Sequence, residues 1–169
     1  MSNHPARHIL IRCLSLSLLI CTGLPAIAQQ GLPINAGLAG SWANPDIPGQ
    51  GIFTDIDPAN RTVFVAWFTY GDTPQGSESI IGAPSNRWYV AVGEYAEGGA
   101  SVEMALSETE GGIFDDPRAV SEQVVGSLTL SFASCTEASM EFSFDEGGPQ
   151  GQIELTRLTP ADVCQALND

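Results

Sequence analysis

From residue 40 onward the chain alternates apolar and polar positions with a period of two, in short runs broken by Gly, Pro, Asn and Asp. The clearest runs lie late in the chain. Val102, Met104 and Leu106 alternate with Ser101, Glu103 and Ala105, and Leu128, Leu130 and Phe132 with Ser127, Thr129 and Ser131. Met140, Phe142 and Phe144 repeat the pattern, as do Ile153 and Leu155. Such segments have one core face and one wet face, as strands of an antiparallel sheet do. The middle segments differ. In Arg61 to Tyr70 the residues Val63, Val65 and Trp67 share one face and Phe64, Phe68 and Tyr70 the other. In Asn86 to Val92 Trp88 and Val90 stand opposite Tyr89 and Ala91. Strands apolar on both faces are either covered twice or carry an exposed aromatic strip.

Pro58-Ala59-Asn60, Gly98-Gly99 and Gly147-Gly148-Pro149 mark turns between strands. Helix signal is confined to the tail, where Thr159-Pro160-Ala161-Asp162 predicts an N-cap, a first-turn Pro and a short helix through Leu167. The pattern predicts an all-β fold: an eight-stranded antiparallel meander closed into a small barrel, with a two-sheet β-sandwich as the alternative. Residues 40–169 form the single β domain in this reading, and 29–39 a flexible lead-in containing Gly31, Pro33 and Gly37.

The first 28 residues read as a signal peptide. Arg7 and Arg12 precede a short apolar run from Cys13 to Leu24, and Ala26-Ile27-Ala28 is an A-x-A cleavage signal. That run is short for a membrane span, and Ile20 before Cys21 does not suit a lipoprotein. The expected location is the bacterial periplasm or the medium, with no membrane insertion.

Cleavage changes the composition. Both histidines, His4 and His8, leave with the peptide. Residues 29–169 keep four basic side chains, Arg61, Arg87, Arg118 and Arg157, against 20 acids, for a net charge of −16. With no basic face, nucleic acid is not an expected partner. Without His there is no Ser-His-Asp or Cys-His catalysis and no histidine-ligated metal site. Without Lys there is no Schiff base and no P-loop. Cys135 and Cys164 remain, and in an oxidising compartment they are expected to form a structural disulfide.

The candidate chemistry is therefore carboxylates, aromatics and arginine. Asp55 with Asp57, Asp115 with Asp116, and Glu94, Glu97, Glu108 and Glu110 crowd strands and turns, but no spacing selects a catalytic pair. Asp55-Ile56-Asp57-Pro58-Ala59-Asn60 offers alternating oxygens yet lacks the Gly and distal Glu of a calcium loop. No metal and no cofactor are expected. Trp and Tyr concentrate in the first half of the β domain, and Trp67, Tyr70, Trp88 and Tyr89 are the candidate platform for a flat ligand. Arg157 falls on the core side of its strand by alternation. An inward Arg needs a partner, either a structural acid or an anionic ligand.

The order G-S-W-x-N-P (Gly40 to Pro45), G-Q-G (Gly49 to Gly51), W-F-T-Y (Trp67 to Tyr70), G-G-x-F (Gly111 to Phe114), Cys135 and L-T-R-L-T (Leu155 to Thr159) resembles an uncharacterised β-module of secreted bacterial proteins. Ala43 stands where that pattern has an aromatic. The resemblance implies no activity, ligand or catalytic residue. The residues themselves favour an exported, non-catalytic binding or interaction module for a small molecule, glycan or protein. A carboxylate-based glycosidase or lyase is the alternative.

Overall fold

The computed structural model describes residues 31–71, 86–113 and 115–169. The expected signal peptide, the start of the expected lead-in and Phe114 lie outside the described residues. Eight strands follow one another in chain order: β1 (Gly40–Ala43), β2 (Gly51–Asp57), β3 (Thr62–Tyr70), β4 (Asn86–Glu94), β5 (Ser101–Glu110), β6 (Ser121–Phe132), β7 (Glu137–Phe144) and β8 (Gln150–Arg157). Each pairs antiparallel with its neighbours, and β1 pairs with β8 through Trp42 opposite Arg157 and Ala43 opposite Thr156, closing the barrel. The expected meander barrel is therefore the fold, and the sandwich is not.

Alternation sets what fills it. Ile52, Ile56, Val63, Val65, Ala91, Val102, Met104, Leu106, Leu128, Leu130, Phe132, Met140 and Leu155 all point inward and are buried. Each strand thus supplies every second residue to one shared core, as the pleat requires. The β7–β8 turn has Glu146 and Gly147 at φ +55° and +78°, the two positive values of a type I′ hairpin turn, whose twist matches the strands.

One end of the barrel is plugged. Residues 31–39, in the expected lead-in, are hydrogen-bonded to the barrel and bury Ile34, Gly37 and Leu38. Leu32 N–H donates to Phe132 O at 2.7 Å and Ile34 N–H to Gly99 O at 2.8 Å. A single 3-10 turn (Ala36–Leu38) follows, capped by Asn35, whose side chain accepts from Gly37 N–H. It inserts Leu38, fully buried, and the buried Thr54 hydroxyl donates to Leu38 O at 3.1 Å. The C-terminal helix α1 (Asp162–Asn168) packs on this turn. It starts later than expected. Ala161 is its N-cap, without a side-chain cap, and Thr159 instead offers its carbonyl to Arg157 Nε at 3.2 Å. Cys135 and Cys164 are disulfide-bonded, as expected, with Cα atoms 5.7 Å apart, and Cys164 is fully buried.

Candidate functional site

At the opposite end the inward positions turn polar. After Trp67 the next inward residue of β3 is Thr69, and before Tyr89 that of β4 is Arg87; the two stand opposite each other. On β5 the inward series Val102, Met104, Leu106 continues with Glu108, opposite Tyr89. A bulge at Val125 shifts the β5–β6 register so that Gln123 opposes Glu108. Bulges of this kind re-aim side chains at barrel rims. A buried polar ring would be costly, so this change of character marks a wet mouth.

The mouth is a cavity of about 600 Å³. Four mutually packed rings form one wall of it. Trp67 lies 5.1 Å from Phe142, 5.6 Å from Tyr89 and 6.1 Å from Phe144, and Tyr89 meets Phe144 edge-on at 5.0 Å. Around them stand Gln50, Thr69, Tyr70, Arg87, Glu108, Gln123, Asp145 and Glu146. Arg87 Nε is 3.9 Å from Glu108 Oε1, a loose ion pair. Tyr70 reaches the rim from the outer face, and its hydroxyl donates to Pro48 O at 3.1 Å. This ties down the loop between β1 and β2. Gly49 in that loop has φ +82°, and a Cβ there would collide with the Tyr70 hydroxyl, so the contact needs glycine.

Two polar atoms of cavity-lining residues have no hydrogen-bond partner among the described residues. Trp67 is 3% exposed and its Nε1 is buried without an acceptor. Gln50 donates through Nε2 to Thr69 Oγ1 at 2.8 Å, while its Oε1 is buried without a donor. Trp42 Nε1 and Arg157 Nη1, at the plugged end, are buried without a partner in the same way, so unpartnered atoms are not confined to the mouth.

The five candidate residues thus separate. Trp67, Tyr70 and Tyr89 line the mouth. Trp88 does not: neighbours along a strand face opposite sides, and Tyr89 takes the inward position. Trp88 is 62% exposed on the outer wall, stacked on Phe68 at 6.3 Å. With Phe53, Phe64 and Val92 these residues form the exposed strip that was one of the two alternatives for the doubly apolar strands. Arg157 is at the plugged end. Its Nη2 donates to Ala39 O at 2.7 Å and its guanidinium lies 5.2 Å over the Trp42 ring. What it anchors is backbone and an aromatic face, not a carboxylate. Burial lowers its pKa from the ordinary arginine value, and it stays charged.

The β2–β3 hairpin uses its acids locally. Asp57 accepts from Asn60 Nδ2 at 2.6 Å and Ala59 N–H at 2.9 Å. The Asn60 side chain, followed by the Asn60 and Ala59 amides, holds the Asp57 carboxyl below its usual value. Among the described residues no group of three or more His, Cys, Asp or Glu is placed to hold a metal ion. No family model, no curated protein and no solved structure matches the chain.

Phe142, Phe144, Gln50 and Glu108 were not among the expected site residues. Phe142 and Phe144 were legible only as core-face positions, since their place beside Trp67 depends on how the barrel closes. The signal that was available is the turn from apolar to polar along each inward series, Leu106 to Glu108 and Trp67 to Thr69.

Proposed function

We propose that this chain is an exported, non-catalytic binding module whose open barrel end takes a small ligand with a flat ring. The observation that carries the reading is an open cavity of about 600 Å³ walled by Trp67, Tyr89, Phe142 and Phe144, a volume in the range of small-molecule sites. An eight-stranded barrel has room for one small ligand when its side chains do not fill it. Here one end is filled by Leu38 and its neighbours and the other is not. Export is supported by the Ala26-Ile27-Ala28 signal and agrees with a disulfide.

The test is a fragment and sugar screen on protein lacking residues 1–28, read by amide chemical shifts. Hits should cluster on Trp67, Tyr89, Phe142 and Phe144 and weaken in Trp67→Phe. Hits confined to the outer wall, or none, would overturn the reading. Glu108 and Asp145 line the same cavity, which favours a carboxylate-based glycosidase or lyase as a second reading. Turnover of an aryl glycoside or uronide, abolished in Glu108→Gln, would replace the first reading with the second.

A further inference from the structure

We infer that the open edge of β8 is a strand-addition site for an extended peptide whose residues alternate basic and apolar. The inference is independent of the cavity as a ligand site. The β1–β8 ladder covers only part of β8. Leu158 N–H donates to Ser41 O, and Ala43 opposite Thr156 is the next hydrogen-bonded pair in that register. The pair after it would be Pro45 with Glu154, and Pro45 has no N–H to give. The chain turns away there. Asn44 N–H donates to Gln50 O across the β1–β2 hairpin, and the Tyr70 hydroxyl holds Pro48 on the β3 side. The stretch of β8 from Gln150 to Glu154 extends past the end of β1.

The other ladder fixes which groups are open. Arg157 N–H donates to Thr136 O and Phe144 N–H to Pro149 O, which puts Leu155, Ile153 and Gly151 in the pairs bonded to β7. The N–H and C=O groups of Gln150, Gln152 and Glu154 therefore point to the β1 side, where no described residue bonds them. Gly151 agrees. Alternation from the buried Leu155 and Ile153 makes it an inward position, yet it is exposed, so the wall is open beside it. An unpaired edge is a template for another strand, with main-chain bonds giving affinity and alternate side chains specificity. The neighbours name the occupant. A strand added antiparallel in the line of β1 sets every second side chain outward beside Gln150, Gln152 and Glu154, with Glu141 opposite Gln152 on β7. These neighbours bring two carboxylates and no cation, in a domain of net charge −16, so outward basic residues fit and acidic ones do not. The intervening side chains face inward beside Gly151 and the buried Ile153, where apolar residues fit. The same charge weighs against a second copy, which would bring its own Glu154 and its own excess of acids.

N-methylation of the probe tests this geometry. Two capped peptides of about seven residues alternate Lys and Val, one methylated on its Val nitrogens and the other on its Lys nitrogens. In the proposed register the Lys N–H groups bond to Gln150, Gln152 and Glu154 and the Val N–H groups point away, so only the first peptide can add. Binding to the protein lacking residues 1–28 is read by amide hydrogen exchange. The Val-methylated peptide should slow the amides of Gln150, Gln152 and Glu154, which exchange fast in the protein alone, while Gly151, Ile153 and Leu155 are slow throughout. The Lys-methylated peptide should bind at least about tenfold more weakly, the equivalent of one net hydrogen bond. A Val-methylated Glu–Val peptide should also bind more weakly, by a ratio that shrinks in 0.5 M salt. Gln152→Pro removes an open donor and leaves the β7 ladder intact, a place where an edge strand accepts proline, and it should abolish the protection. The methylated pair carries the test even where that variant fails to fold. Equal binding of the two methylated peptides, or slow exchange at Gln152 and Glu154 in the protein alone, would overturn the inference. Protection that appears only as the protein dimerises would give the edge to a second copy and overturn the peptide partner. None of these results alters fragment binding beside Trp67, so the cavity reading stands or falls separately.

Discussion

At the scale of the residue, Trp67 combines two opposed contributions. Its ring is packed among Phe142, Phe144 and Tyr89 and stabilises the barrel, while its buried N–H lacks an acceptor among the described residues. An unsatisfied buried donor costs about 1–3 kcal/mol, so removing it offsets lost packing. Trp67→Phe should therefore change stability by less than about 1 kcal/mol, whereas Trp67→Ala, which opens a cavity, should cost about 3–5 kcal/mol. Urea unfolding measures both, and equal losses would show that the nitrogen is satisfied. Asp57 gives a second residue-scale prediction. Its carboxyl is held below the usual value of 3.8, chiefly by the Asn60 side chain. A lowered folded-state pKa means the stability it contributes is complete above the ordinary carboxylate range and is lost as pH falls through the lowered value. Asn60→Ala should bring the Asp57 pKa back toward 3.8, as followed by carboxyl carbon shifts during acid titration. An unchanged titration would assign the shift to the backbone amides alone. Alternation showed that Trp88 and Tyr89 face opposite sides, but with both faces of β3 and β4 apolar it did not say which side is inward. The structure decides it: Tyr89 is inward and Trp88 is on the outer wall.

At the scale of the element, the plug is what makes one barrel end different from the other. Residues 31–39 have no periodicity, because their hydrogen bonds run to Phe132 and Gly99 rather than to a regular partner strand. Partners about 65 and 100 residues away leave no trace in a local pattern, so the segment read as a lead-in. The strands were legible because each carries its own period of two. Closure of β1 on β8, which brings Trp42 to Arg157, was only an inference from their number. Helix α1 has seven residues, too few to persist alone, and depends on its docking and its disulfide. The two cysteines are 29 residues apart, so replacing both by Ala should cost about 3–4 kcal/mol in the chain-entropy picture. Amide exchange should rise first in Asp162–Asn168 and least in β5 and β6. Gly37 tests the docking separately, because a Cβ there would lie 2.5 Å from Cys164 Cα and 2.6 Å from its nitrogen. Gly37→Ala should force the turn and helix apart and cost about 1–3 kcal/mol, the usual range for overpacking. A thermal melt unchanged from the parent would mean that the two elements separate freely.

At the scale of the molecule, closure and charge act together. The β1–β8 pairing closes the sheet, and the chain carries a net charge of −14, which favours repulsion between copies. Against that background the outer strip of Phe53, Phe64, Phe68, Trp88 and Val92 is an anomaly, each 40–62% exposed. Register makes it continuous: Phe64 faces Val92, and Phe68 faces Trp88 across the β3–β4 pair. These residues lie on the outside of the same strands whose inner faces carry Val63, Val65 and Trp67, so their apolar character is not needed to fill the core. Stability should then be nearly indifferent to them, while surface hydrophobicity should not. Phe68→Thr with Trp88→Thr keeps strand-forming residues at both positions. The pair should leave stability within about 1 kcal/mol of the parent, since exposed substitutions away from special features change it by about 0.5 kcal/mol each. Retention on a hydrophobic-interaction column should fall clearly, and fragment binding at the mouth should be unchanged. Loss of folding instead would mean that the strip belongs to the core energetics of the barrel and that its two walls are not independent.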